Sequence, residues 1–319
     1  MSDTAVTSTA SEEAPAVRAP IRWHIAVFLA PALLIYTAVM VIPLVETLRL
    51  SFFKSGIQGE TFVGLGNFQT LLFNERWVQS FWNALVNNTY FFSIHMFVMV
   101  PLAILMAAIL SVPKLRGASF YRTALFMPTM LSFVIVGFGW KLILSPLWGI
   151  APALLDAIGL KSLFAPYLGR AEYALTALGF ISVWQYLGVP MMLTYAAMLS
   201  IPGEILEAAE IDGIVGMQQF FKIKLPLLWP TIGVIAILTF VSNFNSFDLI
   251  YTVQGALAGP DYSTDILGTL MYRVFFGATL ALGDQNMGAT IATMMLVIIL
   301  SVVGVYLFFV QRKLVRYQL

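Results

Sequence analysis

The stretch 207-EAAEIDGIVGMQQFFKIKLP-226 gathers Glu207, Glu210, Asp212, Lys222 and Lys224 in a chain that is elsewhere overwhelmingly apolar. Of its 319 residues, 60% are hydrophobic and only 10% are charged, whereas soluble domains average about 25% charged. With a mean hydropathy of +0.87, this is the composition of a protein that lives in a bilayer. The question is what a crowded polar segment does there.

On either side of that segment lie runs free of Asp, Glu, Lys and Arg. Crossing the hydrocarbon as a helix takes about 20 residues, and six runs are long enough or nearly so: 23–45, 77–113, 123–140, 173–203, 225–247 and 285–311. They predict an all-α integral membrane protein with spans at about 23–45, 82–111, 119–144, 173–200, 227–250 and 287–311. The third run is the shortest, so its helix is expected to continue past Lys141, whose long side chain would snorkel toward the headgroups. Residues 1–22 are small, polar and acidic and are read as a disordered tail. The transmembrane domain covers 23–315, and 316–319 form a second short tail.

Composition also excludes functions. The formal net charge is +1, which provides no field for nucleic acid. Cysteine is absent, which removes disulfides and thiolate chemistry. No Gly-x-x-x-x-Gly-Lys-Ser/Thr loop is present, so the chain has no cradle for nucleotide phosphates. The two histidines, His24 and His95, have no neighbouring ligand cluster, and His95 reads as a satisfied core residue.

Lys and Arg bias sets membrane orientation. The segments on the side of both termini (1–22, 112–122, 201–226 and 312–319) carry ten, against seven in the longer segments of the other side. Both termini, and with them the 201–226 loop, are therefore expected in the cytoplasm.

Within that loop, Pro202 suits a first helical turn and Gly213 suits a helix end. At 100° per residue Ile205, Leu206 and Ala209 share one arc, while Glu204, Glu207 and Glu210 share the opposite one. A helix this short needs a packing partner. Pro226 and Pro230 are expected to mark the turn back into the membrane.

The pattern Glu207-Ala208-Ala209, three residues, Gly213, nine residues, Ile223, one residue, Leu225-Pro226 matches every position of the EAA loop of binding-protein-dependent ABC import permeases. A chance match to seven such positions in a chain of this length is expected on the order of once in 10^5. The Asp212-containing IDG, LPLLWP, FDLIY (247–251) and MYRVFFG (271–277) resemble the carbohydrate-uptake branch, and the ending QRKLVRYQL resembles the first of its two paired permeases. The spacing of Gly255, Gly259 and Pro260 departs from the Gly-Gly-Pro of that branch.

The resemblance implies the type I ABC importer permease fold in a bacterial cytoplasmic (inner) membrane. It implies as partners a second homologous permease, a cytoplasmic ABC ATPase dimer carrying ATP and Mg, an extracytoplasmic solute-binding protein and membrane lipid. It implies no cofactor and no catalytic or metal-binding residue on this chain. The 201–226 loop would be the coupling element: Glu207 would pair with the ATPase, Ala208 and Ala209 would allow close approach, and Gly213 would supply the turn. Asp212, Ile223, Leu225 and Pro226 complete the expected set.

A substrate path is sought among polar residues at membrane depth, where an unpaired polar group is expensive. Asn243, Asn245 and Ser246 in span five, and Ser182, Trp184, Gln185 and Tyr186 in span four, are the candidates for a sugar or polyol. Each can equally serve helix packing. Asp248 is read as structural or gating, and Pro128 and Pro190 as kinks. Segment 67–85 is amphipathic and is expected to lie along the outer interface, near the docking place of a binding protein. An ion-coupled secondary transporter is the alternative, but it would need paired broken halves or coupling carboxylates.

Overall fold

The computed structural model describes residues 23–56, 59–112, 115–278 and 282–311. The expected tails 1–22 and 316–319 lie outside the described residues. The chain divides into two compact units, residues 1–46 and 47–319. The described part of the first is helical: α1 (Trp23–Tyr36), a π turn (Thr37–Val41) and the start of α2 (Ile42–Ser51). Its apolar side chains are exposed, as suits contact with lipid.

The second unit opens with an antiparallel hairpin, β1 (Phe53–Gly56) and β2 (Gly59–Phe62), followed by α3 (Gly66–Phe73). The side-chain amide oxygen of Asn286 accepts from both the backbone N–H and the hydroxyl of Ser55, at 3.0 and 2.7 Å. Then α4 (Glu75–Ile94), a π turn (His95–Met99) and α5 (Val100–Leu110) run on as one helix over Glu75–Leu110. Segment 67–85 is thus not a single helix lying along the interface. It splits at Asn74, whose side chain accepts from the Arg76 N–H at 3.0 Å. That cap starts a new helix, and the second half of the segment becomes the first turns of span two.

Spans three and four are both broken. α6 (Ala118–Phe126) and a 3₁₀ turn (Met127–Met130) meet α7 (Phe133–Ile143) at 98°. α9 (Ala171–Tyr186) meets α10 (Gly188–Leu199) at 44°. Both expected prolines lie at or beside the breaks. Pro190 has no N–H to offer the Tyr186 carbonyl one turn back, which weakens the ladder where the axis bends. Between the two spans sits α8 (Ile150–Ala157). Lys141 does not snorkel: its Nζ donates to the Val253 carbonyl at 3.2 Å.

The break in span four rests on a glycine. A Cβ at Gly188 would lie 2.7 Å from Phe126 Cα and 2.9 Å from the Leu125 carbonyl oxygen, so spans three and four touch backbone to backbone. Gly188→Val is expected to cost about 1–3 kcal/mol through overpacking, read as a lowered unfolding temperature of the detergent-solubilised complex.

After α10 come α11 (Gly203–Ile211), α12 (Met217–Gln219), a π turn (Phe220–Lys224) and α13 (Leu225–Phe244). Helix is continuous over Met217–Phe244, so Pro226 and Pro230 do not mark where the helix begins. They lie inside it, with the widened π turn just ahead of Pro226. The last elements are α14 (Asp248–Gln254), α15 (Leu267–Phe276) and α16 (Gln285–Val305).

Three apolar clusters hold the second unit. Leu71, Phe81, Phe244, Leu270 and Ile291 join α3, α4, α13, α15 and α16. Met99, Ala107, Met191 and Leu228 join the second span to α10 and α13. Phe91, Val136, Leu178 and Ile250 join α4, α7, α9 and α14.

The turn between α14 and α15, where the glycine spacing is unusual, takes left-handed backbone at Gly255 (φ 73°), Ala258 (52°), Gly259 (80°), Asp261 (53°) and Tyr262 (55°). Non-glycine residues rarely hold such angles. Here Arg273 ties the turn down, donating to the Ala256 carbonyl at 3.2 Å and to both Asp265 carboxylate oxygens at 3.2 and 2.5 Å. Its guanidinium also lies over the Tyr262 ring at 4.7 Å.

Candidate functional site

A cavity of about 380 Å³ opens between spans two, four and five. That size falls within the range of small-molecule sites. Phe91, His95 and Met99 line it from span two, Ser182, Tyr186 and Pro190 from span four, and Thr239, Asn243 and Asp248 from span five and α14.

The span-five wall is a broken helix. α13 ends at Phe244, Phe247 leaves helical geometry (φ −150°, ψ −52°), and α14 restarts at Asp248. Asn245 and Ser246, expected within the helix, therefore sit in the break, where irregular backbone is tolerated because it lines a cavity. Asn88 holds the break in place. Its Nδ2 donates to the Asn243 carbonyl and its Oδ1 accepts from the Leu267 N–H, both at 2.9 Å. Asn88 is fully buried. Asn88→Ala strands the Leu267 N–H, at about 1–3 kcal/mol, while the Asn243 carbonyl keeps the Ser246 N–H at 3.2 Å; a lowered unfolding temperature with reduced uptake is expected.

Of the seven expected path residues, five line the cavity: Ser182, Tyr186, Asn243, Asn245 and Ser246. Ser182 is not free for a ligand. His95 Nδ1 lies 2.9 Å from the Phe91 carbonyl and Nε2 lies 2.9 Å from Ser182 Oγ. A carbonyl only accepts, so Nδ1 carries the proton and Nε2 takes the serine hydroxyl.

The structure places the other two elsewhere. Trp184 packs edge-on against Trp140 with centroids 5.6 Å apart. Gln185 is fully buried and bridges spans: its Nε2 donates to the Leu131 carbonyl at 3.0 Å, and its main-chain carbonyl accepts from the Thr129 hydroxyl at 2.9 Å, while its side-chain oxygen has no partner among the described residues. Successive residues on a helix point about 100° apart, so Ser182 and Tyr186 can face the cavity while the pair between them cannot. His95, Asp248 and Asn88 were not on the expected path. His95 and Asn88 were legible by the same test of a polar group in a charge-free run.

The second candidate element is α11. Glycine at φ 76° closes it: the Gly213 N–H donates to the Glu210 carbonyl at 3.0 Å and the Ile214 N–H to the Ala209 carbonyl at 2.8 Å. This is the paired bonding of a left-handed helix cap. Gln219 braces the helix from below, donating to the Leu206 carbonyl at 3.3 Å. Glu204, Glu207, Ala208, Glu210 and Asp212 are exposed, and Ala209 is buried. Ala209 thus packs within its own chain, so close approach by a partner is left to Ala208.

Ile205, expected on the inner arc, is also exposed, and Ile211 (87%), Val215 and Met217 add apolar surface beside the acids. Ile223 and Leu225 are half-buried in the first turns of span five, and Pro226 is exposed there.

The family described as "Binding-protein-dependent transport system inner membrane component" matches residues 77–316. The chain is 32% identical over 277 residues to the "Probable ABC transporter permease protein YurN" of Bacillus subtilis (strain 168), covering 86% of this chain and 91% of that one. It is 30% identical to the "Lactose transport system permease protein LacF" of Rhizobium radiobacter, covering 78% and 82%. A subunit of a bacterial alginate ABC transporter, solved in complex with its alginate pentasaccharide-bound periplasmic protein, superposes with a TM-score of 0.72 at 23% identity. That match covers 89% of this chain and 94% of that one. The chain has the ABC importer permease fold and belongs to the binding-protein-dependent transport system inner membrane components, as a multi-pass permease subunit and not an ion-coupled carrier.

Proposed function

We propose that this chain is one of two permeases of an ATP-driven importer, and that it passes a sugar or polyol from a solute-binding protein through the cavity to the cytoplasm. The observation that carries the reading is the connection of α11 to both cavity walls. α10, which carries Pro190, leads into α11 through a three-residue link at 200–202. On the other side, unbroken helix from Met217 to Phe244 leads to Thr239 and Asn243. A displacement of α11 is thus delivered to both walls, which is the connection that alternating access requires.

The partner that displaces α11 is a cytoplasmic ATPase dimer, which binds ATP and Mg. Glu207 and Glu210 offer it charge, while Ile211, Val215 and Met217 offer it apolar surface. This orientation puts both termini in the cytoplasm, in line with the Lys and Arg bias. It also turns a groove of about 990 Å³, lined in part by Trp82, Tyr262 and Asp284, toward the binding protein.

The cargo rests on the lactose and related sugar permeases among the relatives. A cavity wall of amides, hydroxyls and aromatic rings fits a carbohydrate. The test is ATP-dependent uptake of neutral oligosaccharides by the complete importer in liposomes. Uptake is expected only with ATP and the binding protein together; ATP-independent uptake driven by an ion gradient would reject the reading.

A further inference from the structure

The polar atoms of the cavity are unevenly committed. Each side-chain amide has one of its two N–H groups committed: Asn243 Nδ2 bonds the Thr239 carbonyl at 2.8 Å, and Asn245 Nδ2 bonds the Val241 carbonyl at 2.9 Å. His95 is engaged at both nitrogens. Two acceptors lack a partner. Asn243 is 5% exposed, and its Oδ1 is buried with no hydrogen-bond partner. Asp248, exposed in the first turn of α14, lines the cavity with a carboxylate that makes no ion pair among the described residues. None of the described residues lining the cavity is Lys or Arg. The hydroxyls of Tyr186, Ser242 and Ser246 can act either way. A carboxylate only accepts while ionised, and like charges in a confined, partly apolar space repel strongly.

We propose that the wall this chain supplies selects for solutes that bring hydrogen-bond donors and against solutes that bring negative charge, with Asp248 as the residue that sets this preference. Neutral polyhydroxyl and amine-bearing solutes are admitted; uronates and sugar phosphates are not. The inference rests on the carbohydrate reading above and deepens it by assigning a charge class.

The test uses the complete importer, purified with its second permease and ATPase and without the binding protein, whose own selectivity would mask the cavity's. Equilibrium dialysis of radiolabelled glucose, glucosamine and glucuronate compares three solutes of one shape and different charge. Glucosamine is expected to bind best and glucuronate to bind about tenfold more weakly than glucose or worse, a difference of about 1.4 kcal/mol. In Asp248→Asn the spread between glucosamine and glucuronate should collapse, while Asp248→Glu should preserve the order. The glutamate variant separates loss of charge from loss of folding.

Glucuronate ranking equally in wild type and Asp248→Asn would overturn the proposal and leave the carbohydrate reading intact. An Asp248→Asn complex that binds none of the three would make Asp248 a general ligand, which also overturns it. Wild type binding none of them would reject the carbohydrate reading and the proposal together.

Discussion

Gly213→Val is expected to abolish uptake by the assembled importer while the chain still inserts in the membrane. The glycine holds φ 76°, and a Cβ built there meets no heavy atom within 4 Å. The defect is therefore one of backbone and not of crowding. Valine resists the left-handed region, which costs roughly 1–2 kcal/mol and opens the bonds to the Ala209 and Glu210 carbonyls. α11 then frays at the end where Ile211 and Asp212 are exposed. Gly213→Asn, which tolerates left-handed geometry, should retain most uptake, and Glu207→Ala should weaken ATPase retention without fraying the helix. Liposome uptake and ATPase stimulated by loaded binding protein are the readouts. Wild-type coupling in the valine variant would show that the cap is dispensable.

Asp265→Ala is expected to destabilise the turn between α14 and α15 by about 3–5 kcal/mol, the usual cost of stranding one member of a buried ion pair. The Asp265 side chain is 1% exposed and that of Arg273 13%, so water does little to replace the lost partner. Burial pushes the Asp265 carboxyl above the usual carboxylate range, against the opposing pull of Arg273 and Thr269. The pair therefore carries a desolvation cost, and it works by fixing the turn at Ala258, Asp261 and Tyr262 more than by adding net stability. Two consequences separate this account from simple attraction. Asp265→Ala/Arg273→Met should be less damaging than Asp265→Ala alone, because it leaves no buried charge. Proteolysis between 255 and 265 should increase in the single variant and much less in the double one.

The membrane class, the presence of long apolar helices, and the bounds of α11 were legible in the chain because each depends on local signals. Charge-free runs measure the bilayer, and Pro202 and Gly213 punctuate a helix whatever surrounds it. What was not legible depended on partners distant in sequence. Lys141 looked like a snorkelling residue because the Val253 carbonyl that receives it lies on another element. Gln185 looked like a solute ligand because the carbonyl of Leu131, freed by the break in span three, is invisible from span four. Ala209 looked available to a partner until Gln219 was found bracing its helix.

By itself the sequence determined that this protein crosses a membrane and carries a short acid-faced helix built to meet a partner, since hydropathy and helix punctuation act within a few residues. Only the tertiary structure decided which polar groups face the cavity and which hold helices together. That assignment turns on the breaks in spans three, four and five and on their long-range hydrogen bonds. A buried polar atom is paid for by whichever group the fold brings to it, and nothing local names that group.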